Sequence, residues 1–99
     1  MSRPAAAPAV LLEDAKVRVT RWDFVASAET GWHRHEMDYV IVPMTTCHFL
    51  LEEPGGQRNV DMEAGAVYRR DAGVEHNVVN AGDAPMSFIE IELKPQTSD

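Results

Sequence analysis

Frequent turn sequences divide this chain into short apolar segments, and this division most limits what it can fold into. The turns SAETG, EPGGQ, DAG and NAGDAP are rich in Gly, Pro, Asn and Asp, which favour tight reversals. β-Branched and aromatic residues dominate the segments between them and predict at least six strands. These segments are KVRVTRWDFVA, MDYVIVPM, CHFLLEE, AGAVYRR, HNVVN and MSFIEIELK.

Helical periodicity is not found in the sequence. No stretch of ten or more residues combines apolar spacing at i, i+3 and i+4 with helix caps. The predicted fold class is therefore all-β, with almost no helix, and many short strands at near-regular spacing are typical of a sandwich or barrel. In the last segment, Phe88, Ile89 and Ile91 alternate with Glu90 and Glu92, which predicts one buried and one solvent-facing side.

The length of 99 residues fits one compact domain and excludes a second. Pro4 and Pro8 interrupt the N-terminal segment, so we expect residues 1–9 to be a flexible tail and residues 10–95 to form the single domain. The N-terminal segment lacks the apolar core of a signal peptide, and no run of 18 apolar residues occurs to span a membrane. Cys47 is the single cysteine, which favours a reducing compartment, so we expect a cytoplasmic protein.

The charge of the chain argues against two classes of partner. Sixteen acidic and nine basic residues give a formal net charge of −7, which repels phosphate backbones and anionic lipid headgroups. We therefore expect no nucleic-acid partner and no membrane partner. The expected partners are a small-molecule ligand and a second copy of the chain, because a strand added by a partner would cover the edge strands of so small a barrel.

Two histidines two residues apart are the clearest candidates for metal ligands. His33 and His35 lie in GWHRHE, and on a strand both side chains would leave the same face, with α-carbons about 6.7 Å apart. Metal–nitrogen bonds of about 2.0–2.1 Å need ligands from more than one strand. The natural third ligand is His76, at the head of another apolar strand.

The segment from Gly65 to Asn80 resembles the second sequence motif of the cupin family, G-x5-P-x-G-x2-H-x3-N. Gly65, Gly73, His76 and Asn80 match this motif in register, and Asp71 replaces its proline. The resemblance implies a cupin-type double-stranded β-helix, also called a jelly-roll barrel, with His76 as a metal ligand inside it. Positive φ angles are expected at the two motif glycines.

The first cupin motif, G-x5-H-x-H followed by a glutamate, is matched less completely. His33 and His35 are present, but Ser27 stands where the family has its upstream glycine, and no glutamate occupies the glutamate position. Asp38 is the candidate to replace this carboxylate as fourth ligand or as hydrogen-bond partner of a ligand imidazole, and Glu36 is the alternative. Without a carboxylate, three neutral imidazoles would favour anionic co-ligands.

Some longer segments, GWHRHEMDYVIVP and AGVEHNVVNAGD, are similar to small single-domain cupins associated with β-alanine degradation. The resemblance implies a divalent metal ion (iron, zinc, manganese or nickel) that serves as a Lewis acid or a dioxygen site. The expected substrate is a small organic acid or amino-acid catabolite, with oxygenase chemistry ahead of isomerase or hydrolytic chemistry. A non-catalytic small-molecule-binding cupin and a metal-free structural cupin are the alternatives.

Other polar and aromatic residues allow two interpretations each. Tyr39 and Tyr68 are candidates to line a pocket, although their apolar bulk suits the core equally well. Arg69 and Arg70 point to opposite faces of their strand, so one of them could enter the barrel as a clamp for a carboxylate, or both could lie at the surface. His48 lies outside both motifs and is interpreted as a structural or exposed residue.

Overall fold

The computed structural model describes residues 2–96, which form nine strands joined by turns and loops. These residues contain no helix, and hence none long and apolar enough to cross a membrane. The all-β prediction is confirmed. The strands are β1 (Ala7–Glu13), β2 (Val17–Phe24), β3 (His33–Arg34), β4 (Asp38–Pro43), β5 (Cys47–Glu53), β6 (Gly56–Met62), β7 (Tyr68–Arg70), β8 (Glu75–Asn80) and β9 (Met86–Leu93).

The strands form two antiparallel sheets that enclose one core. The larger sheet has the order β1-β2-β9-β4-β7 and the smaller β3-β8-β5-β6. Their inner faces meet through aromatic side chains, as where the rings of Phe49 and Phe88 lie 5.7 Å apart. Two facing sheets of short antiparallel strands are the architecture of a jelly roll, as predicted.

Three strands were missed from the sequence. β6, with the sequence GQRNVDM, is mostly exposed and lacks an apolar alternation, while β3 has only two residues. β1 begins at Ala7, inside the segment expected to be a flexible tail, and the amide of Ala6 donates to the carbonyl of Glu29 at 2.8 Å. Pro8 is tolerated there because β1 is an edge strand, where a missing amide donor costs no pairing.

The last strand, β9, faces the opposite way from the sequence-based expectation. It lies between β2 and β4, with Glu90 opposite Thr20 on one side and Ile41 on the other. Because side chains two residues apart share a face, Glu90 lies on the same face as the buried Phe88. The glutamates therefore face the inside and the mouth of the barrel, and Ile89 and Ile91 face outward.

The buried side chain of Asn80 connects the end of β2 to the loop that precedes β9. Asn80 is 2% exposed, and its Nδ2 donates to the carbonyls of Phe24, Val25 and Ala84. Its Oδ1 accepts the amide of Gly82 at 3.0 Å. The motif asparagine is therefore a structural residue that joins the end of β2 to the loop before β9, and it is not part of the histidine cluster.

Candidate metal centre

The short pairing of β3 with β8 brings the histidines of the two motifs together. His33 lies directly opposite His76 in this antiparallel pair. Just beyond β3, the amide of His35 donates to the carbonyl of Val74 at 2.8 Å, and the amide of Gly73 donates to the carbonyl of His35 at 2.8 Å. The turn at Gly73, in the second motif, therefore fixes the backbone of His35, in the first motif.

Residues 27–31, before β3, are also tied to β8. The amide of Ser27 donates to the carbonyl of Asn80, and the amide of Thr30 to that of Val78. The amide of Gly31 donates to Oδ1 of Asn77 at 2.9 Å. This loop carries few apolar residues, so hydrogen bonds to β8 hold it in place. They determine where β3 begins, and therefore the position of His33.

Three imidazole nitrogens converge inside the barrel. Nε2 of His33 lies 3.0 Å from Nε2 of His35, which lies 3.1 Å from Nε2 of His76. Metal–nitrogen bonds of about 2.0–2.1 Å place neighbouring ligand atoms about 3.0 Å apart in an octahedral arrangement and about 3.3 Å apart in a tetrahedral one. The observed distances match those of ligands on one side of an ion, so the three histidines could hold a metal.

The ring of His33 is fixed in the orientation that a metal ligand requires. Its Nδ1 lies 2.8 Å from the carbonyl oxygen of Gly31, an acceptor only, so Nδ1 carries the proton and donates it. In a neutral ring this leaves the lone pair of Nε2 free and directed at the other two histidines. The backbone thus selects the tautomer that can bind an ion.

Burial keeps the other two rings uncharged. Desolvation, and secondarily the neighbouring His33, lowers the pKa of His35 to about 3 and that of His76 to about 4. The side chain of Tyr39 stacks on His35 with ring centroids 3.7 Å apart. Neutral imidazoles are good ligands for iron, zinc and nickel, so the donor set fits a divalent transition metal.

The structure does not bring Asp38 into this cluster. Its carboxylate accepts hydrogen bonds from Nη2 of Arg69 at 2.9 Å and from the amide of Ala72 at 2.8 Å. Strand alternation explains the correction, because Tyr39 faces inward against His35 and its neighbour Asp38 must then face outward. Glu36, the alternative from the sequence, is exposed at the mouth of the site.

A carboxylate that the sequence analysis missed lies in the wall of the site. Oε2 of Glu90 is 4.0 Å from Nδ1 of His35, and Oε1 accepts the indole N–H of Trp22 at 3.4 Å. Burial raises the pKa of Glu90 to about 7. The sequence signal that could have identified this residue is its position two residues after Phe88, a large aromatic residue typical of a core-facing position.

A small cavity adjoins the histidines and leads to a wider mouth. The inner cavity has a volume of about 20 Å³ and is lined by the three histidines, Tyr39 and Glu90 among others. It has room for one ion or one water molecule. The mouth, of about 350 Å³, shares the walls formed by Trp22, Thr30 and Glu90, and its rim includes Arg18, Arg34, Glu36 and Glu92.

Both tyrosines predicted as pocket residues line the inner cavity. The hydroxyl of Tyr39 is buried and has no hydrogen-bond partner among the described residues, and burial raises the pKa of Tyr68 to about 12. Of the two arginines, Arg69 is exposed, whereas Arg70 lies opposite Tyr39 and donates to Glu53 at 3.1 Å. Nη1 of Arg70 is buried and also lacks a described partner.

Comparison with known sequences identifies relatives over nearly the whole chain. The model of the family described as "Cupin domain" matches residues 20–92. The chain is 51% identical over 92 residues to the beta-alanine degradation protein BauB of Pseudomonas aeruginosa, covering 93% of this chain and 97% of that protein.

Solved structures agree with the sequence comparison. A cupin domain from Bordetella pertussis is 50% identical and superposes with a TM-score of 0.93, over 96% of this chain and 99% of that one. The polyketide cyclase RemF from Streptomyces resistomycificus, 16% identical, has a TM-score of 0.73 over 99% of this chain and 73% of that one. The second similarity shows a shared fold alone.

Proposed function

Because the chain belongs to the cupin family, we propose that it is a metal-dependent cupin enzyme that acts on a small organic acid or amino-acid catabolite. The observation that carries this proposal is the convergence of three Nε2 atoms beside a cavity that opens to solvent. Nε2 of His35 lies 3.0 Å from that of His33 and 3.1 Å from that of His76. A divalent ion bound there would supply a Lewis acid or a site for dioxygen.

The residues around the histidines have distinct tasks in this proposal. Gly31 and Tyr39 orient the rings of His33 and His35, the first by a hydrogen bond and the second by stacking. The unpartnered hydroxyl of Tyr39 is available to donate to a small ligand or a water molecule in the inner cavity. Glu90 is the inward-facing carboxylate of the wall, positioned to accept a proton or a hydrogen bond from a ligand in the mouth.

The rim of the mouth suits an anionic substrate. Arg34 and Arg18 both line it, and a guanidinium binds a carboxylate with two parallel hydrogen bonds. Arg18 is already paired with Glu13 and Glu92, so the exposed Arg34 is the cation we assign to the substrate carboxylate. The name of the Pseudomonas relative supports a substrate from β-alanine degradation. For the reaction, we favour oxygenase chemistry over isomerase or hydrolytic chemistry.

The metal site is tested by elemental analysis of protein purified without a chelator or a histidine tag. We expect about one iron, zinc, manganese or nickel ion per chain in the wild type, and loss of the metal in His33→Ala and His76→Ala. His48→Ala is the matched control, because His48 is exposed and bonded to Asp61 at 2.8 Å, away from the cluster. No metal after reconstitution, or retention in His76→Ala, would overturn the proposal.

Catalysis is tested separately on the metal-loaded protein. Oxygen consumption and product formation are measured with β-amino acids and the corresponding aldehydes and acids. An enzyme should give turnover that needs the metal and that falls in Arg34→Ala mainly through a higher KM. Metal binding without turnover on any of these compounds would support the alternative function.

The alternative is a non-catalytic cupin that binds a small molecule. The mouth, of about 350 Å³, has room for such a molecule whether or not a reaction follows its binding. In this case calorimetry should detect saturable binding of the same compounds with no chemical change. We place either function in the cytoplasm, because the single cysteine, Cys47, is a buried free thiol.

A further inference from the structure

Residues 3–6, which we call the strap, precede β1 and lie beside the loop before β3. The amide of Glu29 donates to the carbonyl of Pro4 at 2.9 Å, and the amide of Ala6 donates to the carbonyl of Glu29 at 2.8 Å. Glu29 also pairs with Val79 of β8, so the strap adds a further row to the smaller sheet. Ala6 is 9% exposed and belongs to the core cluster. The strap is therefore packed onto the barrel ahead of β1.

Arg3 of the strap holds together two carboxylates from different parts of the fold. Its Nη1 donates to Oε1 of Glu52, on β5, at 2.9 Å and to Oε1 of Glu29 at 3.2 Å, and its Nη2 donates to Oε2 of Glu52 at 3.3 Å. The bonds from Arg3, and secondarily from Asn77, lower the pKa of Glu52 below its ordinary value of 4.5. Without this guanidinium, the two carboxylates would face each other across one neutral side chain, and their like charges would repel.

That neutral side chain is the amide of Asn77, which is 2% exposed. Its Nδ2 donates to Oε1 of Glu29 and to Oε1 of Glu52, at 2.8 Å each. Its Oδ1 accepts the backbone amide of Gly31 at 2.9 Å. Because a carboxylate only accepts hydrogen bonds, the NH₂ group must face the two glutamates and the oxygen must face Gly31. The carboxylates therefore determine the orientation of the amide.

Gly31 continues this network to the first ligand of the site. Its carbonyl oxygen lies 2.8 Å from Nδ1 of His33, which donates to it, and the hydroxyl of Thr30 supports the same carbonyl at 2.9 Å. Gly31 has a φ of +88°, outside regular structure, so contacts with the rest of the chain determine its orientation. Four hydrogen bonds in succession therefore connect Arg3, through Asn77, to the ring of His33.

His33 is the ligand that most needs such support. His35 is 6% and His76 is 2% exposed, and the ring of His35 also stacks on Tyr39. His33 is only partly buried and lies on the two-residue strand β3. Its orientation therefore depends more on the hydrogen bond to Gly31 than on packing.

We propose that Arg3 is a positioning residue of the metal centre and acts through Asn77 on the ring of His33. With Arg3 in place, the two carboxylates hold the amide of Asn77 with its oxygen towards the loop before β3. That loop keeps the lone pair of Nε2 of His33 directed at the other two histidines. The inference rests on the proposed metal site, although these contacts orient His33 before an ion arrives. The strap thus influences the affinity of the site from outside the histidine cluster.

The first test measures the ring of His33 in the metal-free protein. Long-range proton–nitrogen correlation spectra at about pH 8, above the ordinary histidine pKa of about 6.5, show which ring nitrogen is protonated. In the wild type we expect Nδ1. An unrestrained ring carries the proton mainly on Nε2, so Arg3→Met, which keeps the aliphatic stem and removes the charge, should move the averaged nitrogen shifts of His33 towards that form. The signals of the other two ligands should not move.

Arg58→Met is the matched control. Arg58 donates to Glu53, the residue after Glu52 on β5, at 2.8 Å, so this variant removes an ion pair of the same strand and leaves the strap intact. Urea unfolding should show a similar small loss of stability in both variants, because exposed ion pairs contribute little. The tautomer of His33 should change in Arg3→Met alone, which separates positioning from a general effect on stability.

The second test measures metal affinity by competition with a chromogenic chelator, with zinc as the probe. Arg3→Met should raise the Kd about two- to thirtyfold, the range for coupling through contiguous networks, and Arg58→Met should leave it unchanged. The double variant R3M/E29Q should recover most of the affinity, since it removes one of the two repelling charges.

The outcomes of the two tests are distinguishable. An unchanged tautomer of His33 in Arg3→Met would overturn the proposal. So would a zinc affinity that falls equally in both single variants, or one that R3M/E29Q does not recover. A wild type that binds neither zinc nor the other candidate metals would overturn the proposed function instead, and the tautomer would then decide the positioning role of Arg3 by itself.

Discussion

At the scale of single residues, Ser27 has a backbone conformation suited to glycine. Its φ is +68°, a region that costs an L-residue about 1–2 kcal/mol. In the first cupin motif this position is a glycine, and Gly65 and Gly73 of the second motif have positive φ as predicted. The glycine of the family motif therefore reflects a backbone that needs a positive φ at this position. In this chain Ser27 adopts that φ, and its backbone is strained as a result.

Ser27→Gly should stabilise the protein. Relief of the strain, less the extra entropy that glycine has in the unfolded state, should raise the free energy of unfolding by about 0.5–1 kcal/mol. Urea unfolding of the metal-free protein measures the effect. Ser27→Ala keeps the strain and should change stability little, and equal effects of the two substitutions would contradict the explanation.

Glu90 provides a second prediction at this scale. Its Oε2 lies 4.0 Å from Nδ1 of His35, so a small rotation or one water molecule would let it accept the Nδ1 proton and orient the ring. Glu90→Gln should weaken metal binding about tenfold, within the range typical of such partners. Competition with a chromogenic chelator measures the affinity. The control is Glu92→Gln, on the same face but paired with Arg18, and equal affinities in both variants would exclude the role.

The sequence identified the histidines of the site more reliably than its carboxylate. His33, His35 and His76 could be predicted because the spacing of the first two places them on one side of an extended segment and the third lies in a motif with fixed spacing. Glu90 could not, since which face of β9 is buried depends on its two neighbouring strands, β2 and β4. Asp38 was wrongly favoured because distance along the chain does not reveal that Tyr39 occupies the inner face.

At the scale of elements, the β1–β2 hairpin depends on one carboxylate. Oδ1 of Asp14 accepts the backbone amides of Lys16 at 2.7 Å and Val17 at 3.0 Å, which closes the turn. These two hydrogen bonds, the one from Lys16 first, lower the pKa of Asp14 below its ordinary value of 3.8. The turn is therefore stabilised by the ionised form of this side chain.

The hairpin should accordingly lose stability in acid. Because the pKa of Asp14 is lower in the folded state than in the unfolded state, its contribution is fully present above the unfolded value and is lost as the pH falls through the folded one. Asp14→Ala should thus destabilise the protein at pH 7, and the difference from wild type should shrink as the pH drops below about 4. Urea unfolding at several pH values measures it, with the exposed Asp83→Ala as control. A pH-independent difference would contradict this account.

The strands that were missed from the sequence share a physical cause. β6 and β1 are edge strands with one neighbour each, and β3 is only two residues long. Edge strands need no continuous apolar side, and pairing with β5 or β2 is enough to order them. Local patterns therefore predicted the central strands and the edge strand β7, which has the aromatic residue Tyr68, and failed where the partner strand alone provides the order.

At the scale of the whole molecule, a metal at the histidine cluster should stabilise the fold, because it would join β3, β8 and the residues that follow β3. An ion at 100 times its dissociation constant adds about 2.7 kcal/mol to the free energy of unfolding, or a rise in Tm on the order of 10 °C for a domain of this size. Differential scanning calorimetry with and without chelator measures the shift. His48→Ala should keep it and His76→Ala should lose it, and an equal shift in both would place the ion elsewhere.

The central position of β9 has a consequence for the biosynthesis of the protein. This strand is the last of the nine, ending at Leu93, yet it lies between β2 and β4 in the middle of the larger sheet. Before it emerges from the ribosome, β2 and β4 have no common partner, and the wall that carries Glu90 does not exist. The barrel must therefore close after most of the chain has been translated, and an ion held by the three histidines would be enclosed by the complete wall only at that point.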